Sequence, residues 1–392
     1  MKKYRVDQLR NVAIISHGGA GKTTLAEAML FLGGAVDRFG KVDDGTSTMD
    51  YDPDEVKRKI SINASVAPVE WNGHKINLID TPGYSDFVGE VVGALRIADA
   101  TMVLVDAVSG VEVGTELTWR HADESKLPRM IVVNRMDREN ANFEKALGSI
   151  RDIFGNHAVA AQLPIGEGDK FRGVADIIHM KAFVWNDASG KNVTESPIPD
   201  ELADAALELR EKLVEYAAES DEELLNKYLE GEELTQEEFE RGLATGVADG
   251  SVVPVFCASG LRMVGVKPLM DSIVALLPSP VAHGAVTGRL PGSEDKAQRR
   301  PDEAEPFSAL VFKTMADPYV GKITMFRIYS GVVKSDSQVY NASKDRTERL
   351  GQVFLIKGKQ QIAAAEVGAG DIAGVAKLSE TTTGDTLSDK DK

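Results

Sequence analysis

Ser16-His17-Gly18-Gly19-Ala20-Gly21-Lys22-Thr23-Thr24 follows a short β-branched run at 12–15 and opens a stretch, 22–32, that puts Leu25, Met29 and Leu32 on one helical face. A strand, a glycine-rich turn and a helix in that order form a phosphate-binding loop. The backbone N–H groups of 17–24 and the helix N-terminus face an anion, the Lys22 ammonium reaches its outer oxygens, and the Thr23 hydroxyl is placed to ligate Mg²⁺. The first position of the motif is serine where glycine is usual, a small residue that the turn can accept.

Three further motifs lie downstream, each after an apolar run that reads as a strand. Asp80-Thr81-Pro82-Gly83 ends the run at 76–79, so that the Asp80 carboxylate can hold a Mg²⁺-bound water while the Gly83 N–H faces a γ-phosphate. Asn134-Arg135-Met136-Asp137 ends the run at 130–133. A carboxylate at Asp137 accepts two hydrogen bonds from the N1–H and amino group of guanine, a donor pair that adenine lacks, so an ATPase reading is disfavoured. Asn134 would tie its loop to the phosphate loop, the Arg135 stem would lie on the base, and in Ser259-Gly260-Leu261, after the run at 252–256, the Ser259 and Gly260 amides would complete recognition of the guanine oxygen. Together the four motifs indicate a site for GTP/GDP with Mg²⁺.

The chain has 392 residues, 43% of them apolar, enough for two domains with buried cores. Its formal net charge is -16, and residues 200–241 hold 16 acidic and 4 basic side chains, so most of the excess sits in one segment. The bland reading of that segment is a solvated helix face, and the sharper one a docking surface for a basic partner. One cysteine, Cys257, excludes an intramolecular disulfide, and six scattered histidines offer no zinc cluster. The apolar run after Lys2, Lys3 and Arg5 is far too short for a signal-peptide core, and no stretch has the length of a membrane span, so a cytoplasmic protein is expected.

The expected fold is an α/β phosphate-loop GTPase domain with an inserted α/β subdomain, followed by an all-β barrel domain. The nucleotide-binding domain is drawn at 1–282, with strands at 12–15, 76–79, 102–105, 130–133 and 252–256 and a helix at 269–277. The interval between Asn134 and Ser259 is too long for one strand–helix step, so an insertion is expected at about 160–250, carrying two acidic amphipathic helices in 201–229 with Leu202, Leu209, Leu213 and Tyr216 on one stripe. Pro278, Pro280, Pro291, Pro301 and Pro306 mark a linker at 283–305. The barrel follows at 306–392, with alternating runs at 309–314, 322–329, 338–341, 351–356 and 372–376.

Longer stretches carry a specific likeness. Arg58-Lys59-Ile60-Ser61-Ile62, Asp80 through Tyr84-Ser85-Asp86-Phe87, Asn134 through Arg138, and Pro254 through Gly260 leading to Leu277-Pro278-Ser279-Pro280 resemble the translational GTPase elongation factor G, and the likeness runs on to the stretch 381–387. The resemblance implies that the insertion is the family's G′ subdomain and the barrel its domain II. It implies three further domains beyond this chain, so an N-terminal piece of a longer protein is expected, one that alone would not translocate tRNA. By the same resemblance Ser61 stands where a switch threonine ligates Mg²⁺, and Ile60 is one side of the apolar gate around the attacking water. The other side, Gly18, has no side chain, and Gly19 replaces an aspartate linked to a monovalent-cation site.

Tyr84 occupies the position of the histidine that orients the attacking water. A phenol exchanges hydrogen bonds at neutral pH but cannot become the cation a histidine offers, and losing such a transition-state contact costs on the order of a hundredfold in rate. These departures imply a divergent paralogue with slow GTP hydrolysis, its catalytic set being Tyr84, Ile60 and Gly83. The resemblance gives the ribosome as partner, through ribosomal RNA and, for the acidic helices, the stalk protein; no DNA or membrane partner is expected, and the chain is read as a monomer. Arg299, Arg300, Lys344, Arg346 and Arg349 are candidates for RNA phosphates. Two alternatives stay open: a GTP-responsive ribosome-binding switch with little turnover, and a ribosomal-protection factor.

Overall fold

Parallel strands buried on both faces need unbroken apolar runs, and the chain supplies them between helices. In the computed structural model, residues 2–390 are described except 188–189, 291–292 and 318–319; Pro291, one of the linker prolines, lies outside the described residues. The strands of the first domain are β1 (Leu9–Ile15), β2 (Ser65–Trp71), β3 (His74–Asp80), β4 (Ala100–Asp106), β5 (Arg129–Asn134), β6 (Ala158–Ala160), β7 (Gln162–Ile165), β8 (Gly173–Asp176), β9 (Lys181–Trp185), β10 (Val193–Ser196) and β11 (Val253–Cys257). Seven of them form one sheet in the order β2-β3-β1-β4-β5-β11-β6, parallel except for the antiparallel edge strand β2. Registers such as Ile14 opposite Asp80 and Asp106 opposite Asn134 bring the carboxyl ends of β1, β3, β4 and β5 level with one another. Ligands of open α/β sheets bind along such an edge.

Strand β2 is absent from the sequence reading because Pro68 sits in its middle and breaks the local signal. The proline is tolerated because β2 pairs with β3 alone in this sheet. Helices α1 (Lys22–Leu32), α2 (Pro53–Arg58), α3 (Val88–Leu95), α4 (Val113–Glu124) and α5 (Phe143–Phe154) connect the sheet strands.

The insertion combines the four-stranded sheet β10-β9-β8-β7 with α6 (Asp200–Glu219), α7 (Glu222–Leu229) and α8 (Gln236–Asp249). The first two are the acidic helices expected from the sequence; Leu213 is buried, and Leu202, Leu209 and Tyr216 pack against the core at partial exposure. The third goes beyond that expectation, although Thr235-Gln236-Glu237-Glu238 spells its capping box. Thr235 Oγ1 accepts from the Glu238 N–H, and the Glu238 carboxylate accepts from the Thr235 N–H at 2.8 Å. Helix α9 (Val266–Leu276) closes the domain.

The stretch read as a linker folds. After α10 (Pro280–His283), Val286–Arg289 and Lys296–Arg299 pair as a two-stranded antiparallel sheet. Backbone pairing stabilises it despite side chains that carry no apolar alternation. Beyond it, ten strands from Ser308–Asp317 to Thr386–Ser388 make an eight-stranded and a two-stranded sheet, with antiparallel pairing throughout. Val311, Phe326, Ile328, Val353 and Val375 fill the core of this all-β domain.

The two domains meet over mixed chemistry. Phe312, Met325, Phe354 and Ile356 of the β domain join the core of the first domain. Beside them the Arg327 guanidinium, 3% exposed, donates to Asp99 at 2.5 Å and to the Ile97 carbonyl at 2.8 Å, while Lys75 Nζ donates to both oxygens of Asp371 at 2.8 and 2.7 Å.

Candidate guanine-nucleotide site

At the carboxyl edge of the large sheet lies a cavity of about 270 Å³, lined among others by Gly18, Gly19, Gly21, Lys22, Thr23, Thr24, Asp50, Ile60, Ser61, Gly83, Tyr84, Asn134, Arg135, Asp137 and Leu261. Residues from four separate motifs are thus brought to one place. The phosphate loop turns through Gly19 and Gly21, at φ +87° and +88°, a region open to glycine at little cost. A Cβ at Gly21 would also lie 2.7 Å from Asn134 Nδ2. Ser16, buried, donates its hydroxyl to the Leu104 carbonyl at 2.6 Å, which anchors the loop to β4 where a glycine would have no bond to give.

Lys22 Nζ donates to the carbonyls of Ser16 and His17 at 3.2 and 2.9 Å and lies next to Gly83, where a Cβ would fall 2.5 Å from it. Thr23 Oγ1 donates to Asp80 Oδ2 at 2.6 Å and lies 3.0 Å from Ser61 Oγ. The other Asp80 oxygen is buried without a partner, as is Asp50 Oδ2. Burial pushes the Asp80 carboxyl up, with the neighbouring Asp50 adding to the shift, and burial pushes the Lys22 ammonium down. Burial likewise lifts Asp50, partly offset by a hydrogen bond from Ser61. Two hydroxyls and an orphaned carboxylate oxygen fit Mg²⁺, a hard cation that takes few protein ligands and shares its shell with water and phosphate. No cluster of three His, Cys, Asp or Glu side chains suited to a metal exists among the described residues, and such a site does not need one.

Asn134 is the hub of the base side. Its Nδ2 donates to the Ala20 carbonyl at 2.9 Å, and its Oδ1 accepts from the Gly260 N–H at 3.1 Å, so one side chain joins the phosphate loop to the 259–261 turn. Asp137 Oδ1 accepts from the buried Ser259 hydroxyl at 2.6 Å, which orients the carboxylate. The Ser259 N–H is itself donated to Val264 O at 3.0 Å. Both amides that the sequence assigns to the guanine oxygen are therefore used inside the protein, and the Leu261 N–H is the one in this turn with no protein acceptor among the described residues. The Arg135 guanidinium bridges Gly19 O and Asp106 Oδ2, the latter at 2.9 Å, while its stem runs beside Gly21. Arg135 holds φ +66°, an uncommon region for a side-chain-bearing residue.

Tyr84 is 44% exposed, and its ring covers Gly18 so closely that a Cβ there would fall 3.0–3.3 Å from it. Glycine at 18 is thus what leaves room for the ring. Ile60 lines the same cavity at partial exposure. His17 lies to one side, its Nε2 3.7 Å from Glu112 Oε1, and its backbone N–H donates to Thr115 Oγ1 at 3.3 Å.

Several carboxylates that shape the site carry no motif. Glu27, buried in α1, accepts from the Ser47 hydroxyl and the N–H groups of Thr48 and Met49. Glu55, also buried, accepts from the Ile62 and Asn63 N–H groups at 2.9 Å each and from the Asp52 N–H at 3.0 Å. Together they hold the segment 47–63 that presents Asp50, Ile60 and Ser61. The one sequence signal for Glu55 is its place in the box Asp52-Pro53-Asp54-Glu55 that starts α2. Among the basic candidates of the β domain, Arg300 pairs with Glu305 at 2.8 Å and Lys344 with Asp385 at 3.2 Å.

Residues 7–279 match the elongation factor Tu GTP binding domain family, and residues 306–390 match elongation factor G domain 2. A crystal structure of a protein from Thermus thermophilus superimposes with a TM-score of 0.87 at 36% identity, over 98% of this chain and 55% of that one. The chain spans about half the length of that relative. With the first match covering well over half the sequence, the chain belongs to the translational GTPase family that shares the elongation factor Tu GTP binding domain.

Proposed function

We propose that the chain is the nucleotide-binding and second-domain portion of an elongation-factor-G-type factor that binds Mg²⁺ with GTP or GDP and hydrolyses GTP slowly on the ribosome. The observation that carries this reading is the convergence of Thr23, Ser61 and Asp80 beside Lys22, at one end of a cavity whose other end is formed by Asp137 and the Ser259 turn. Backbone N–H groups of 18–24 receive the phosphates, with Lys22 neutralising their charge, while the His17 N–H stays on Thr115 Oγ1. Thr23 and Ser61 would supply hydroxyl ligands for Mg²⁺ and Asp80 would hold it through water; the bound ion would offset the charge that develops on the phosphate oxygens. Asp137 selects guanine, the Leu261 N–H serves the guanine oxygen, and the Arg135 stem covers the base. Gly83 donates its N–H to the γ-phosphate, Ile60 limits water access, and the Tyr84 hydroxyl orients the attacking water.

The placement of Tyr84 supports a second reading, a GTP-responsive ribosome ligand with little turnover. A half-exposed phenol lying on Gly18, without a hydrogen-bond partner for its hydroxyl among the described residues, is weakly fixed for orienting water. In either reading the acidic face of α6 and α7 is the docking surface for the ribosomal stalk, and the chain acts as a monomer in the cytoplasm. No helix among the described residues is long and apolar enough to cross a membrane. The deciding measurement is GTP hydrolysis by the complete protein with and without purified ribosomes. Ribosome stimulation is expected; ribosome binding with no stimulated turnover favours the second reading, and failure to bind guanine nucleotides removes both.

A further inference from the structure

Lys313 belongs to the β domain, yet its ammonium is spent on the first domain. It donates to Asn63 Oδ1 at 3.1 Å, Ala64 O at 3.0 Å and Glu90 Oε2 at 2.7 Å, using all three of its protons while the residue is 8% exposed. Glu90 Oε2 in turn accepts from the Ala64 N–H at 2.7 Å. Asn63 lies two residues beyond Ser61, and Glu90, in α3, six beyond Tyr84, so a single ammonium joins both segments that approach the γ-phosphate end of the cavity.

The reach of Lys313 is built into its strand. In Ser308–Asp317 the pairing slips between Val311 and Lys313, where Val311 opposes Phe326 and Lys313 opposes Met325. The extra residue, Phe312, breaks the strand's alternation. Val311 faces the β-domain core, whereas Phe312 packs into the core of the first domain and its neighbour Lys313 also turns that way. Two more contacts bear on the same segment: the Tyr51 hydroxyl lies 3.7 Å from Met315 Sδ, and Gly358 packs against Thr48 while donating its N–H to Val66 O at 2.9 Å.

We propose that Lys313 is a positioning residue through which the β domain holds Ser61 in its ligating place, so that docking of the second domain selectively favours the triphosphate. The inference rests on the GTP-binding reading. Its physical content is differential: a bond network that fixes Ser61 contributes to binding only where Ser61 has a role, and by linkage the triphosphate then stabilises the docked segment by the same factor.

The test uses the full 392-residue chain and compares Lys313→Met with Lys357→Met. Lys357 is a second ammonium that crosses between the domains, to Ala35 O at 2.9 Å, a carbonyl outside the 47–64 segment. Affinities for GDP and for a non-hydrolysable GTP analogue are measured in Mg²⁺. Lys313→Met is expected to weaken the analogue on the order of tenfold while GDP stays within about twofold, with Lys357→Met changing neither. Amide exchange across 61–64 with analogue bound is expected to speed up in Lys313→Met alone. If Lys313→Met does not fold, Glu90→Gln carries the same expectation. An unchanged analogue-to-GDP ratio in the folded variant, or an equal shift in Lys357→Met, overturns the proposal. Failure of the unmodified chain to bind either nucleotide overturns the GTP reading itself and this inference with it.

Discussion

Asp137→Ala offers the most direct quantitative test of the base pocket. The carboxylate is fixed on one side by the Ser259 hydroxyl at 2.6 Å and lines the cavity with Arg135 and Leu261. In the proposed complex it accepts two hydrogen bonds from guanine, each contributing about 1.5–3 kcal/mol because the acceptor is charged. Their loss weakens GDP by about 3–6 kcal/mol, roughly two to four orders of magnitude at about 1.4 kcal/mol per tenfold. ADP cannot use the carboxylate in this way and loses nothing. Ser259→Ala removes only the orienting donor, so a smaller GDP loss of about 1 kcal/mol is expected. Titration calorimetry of GDP and ADP against the three proteins gives all six affinities. If GDP binding to Asp137→Ala stays within about fivefold of the unmodified chain, the carboxylate does not pair with the base and the assignment of the pocket is wrong.

Three other outcomes are expected. Tyr84→His should raise ribosome-stimulated GTP turnover on the order of a hundredfold in the complete protein, read by phosphate release; an unchanged rate means that Tyr84 is not the limiting group. Arg327→Met leaves the buried Asp99 with Asn11 Nδ2, at 2.7 Å, as its remaining side-chain donor, and should cost about 3–5 kcal/mol. Urea unfolding should show the loss, and Arg327→Met/Asp99→Asn should recover most of it; a midpoint that does not move in Arg327→Met contradicts the role given to the pair. The third concerns His179, which Asp176 at 2.8 Å raises above its ordinary value of 6.5. A raised folded value means stabilisation that is complete below about 6.5 and disappears as pH rises through the folded value. Amide exchange of α8, corrected for intrinsic rates, should therefore show added protection as pH falls through that window, and His179→Gln should abolish the slope.

The legible parts of the molecule are those whose signal is local. Strand runs at 12–15, 102–105 and 130–133 announce themselves because a parallel strand buried on both faces must be apolar along its length, and each proves to extend one to three residues further at one or both ends. Strand β2 is hidden by Pro68, and α8 by the low apolar content around its capping box. The 286–299 hairpin is hidden because its polar sequence reads as a connection while its backbone hydrogen bonds supply the pairing. In the site, Lys22, Thr23, Asp80, Asn134, Asp137 and Ser259 stand out from spacing alone, since each must end a strand or follow one by a fixed, short interval to reach the sheet edge.

By itself the sequence determined the order of the four motifs, the sheet edge on which they fall and the base they are expected to select, because those properties follow from backbone periodicity and side-chain type over a few residues. Only the tertiary structure decided that Glu27 and Glu55 fasten the segment carrying Ser61, that Asn134 takes the Gly260 amide for itself, and that Lys313 reaches Asn63 and Glu90 from another domain. The cause is physical. A carboxylate or an ammonium looks the same in sequence whether it faces water or a buried partner, and what separates the two cases is desolvation, which exists only once distant parts of the chain have closed over the group.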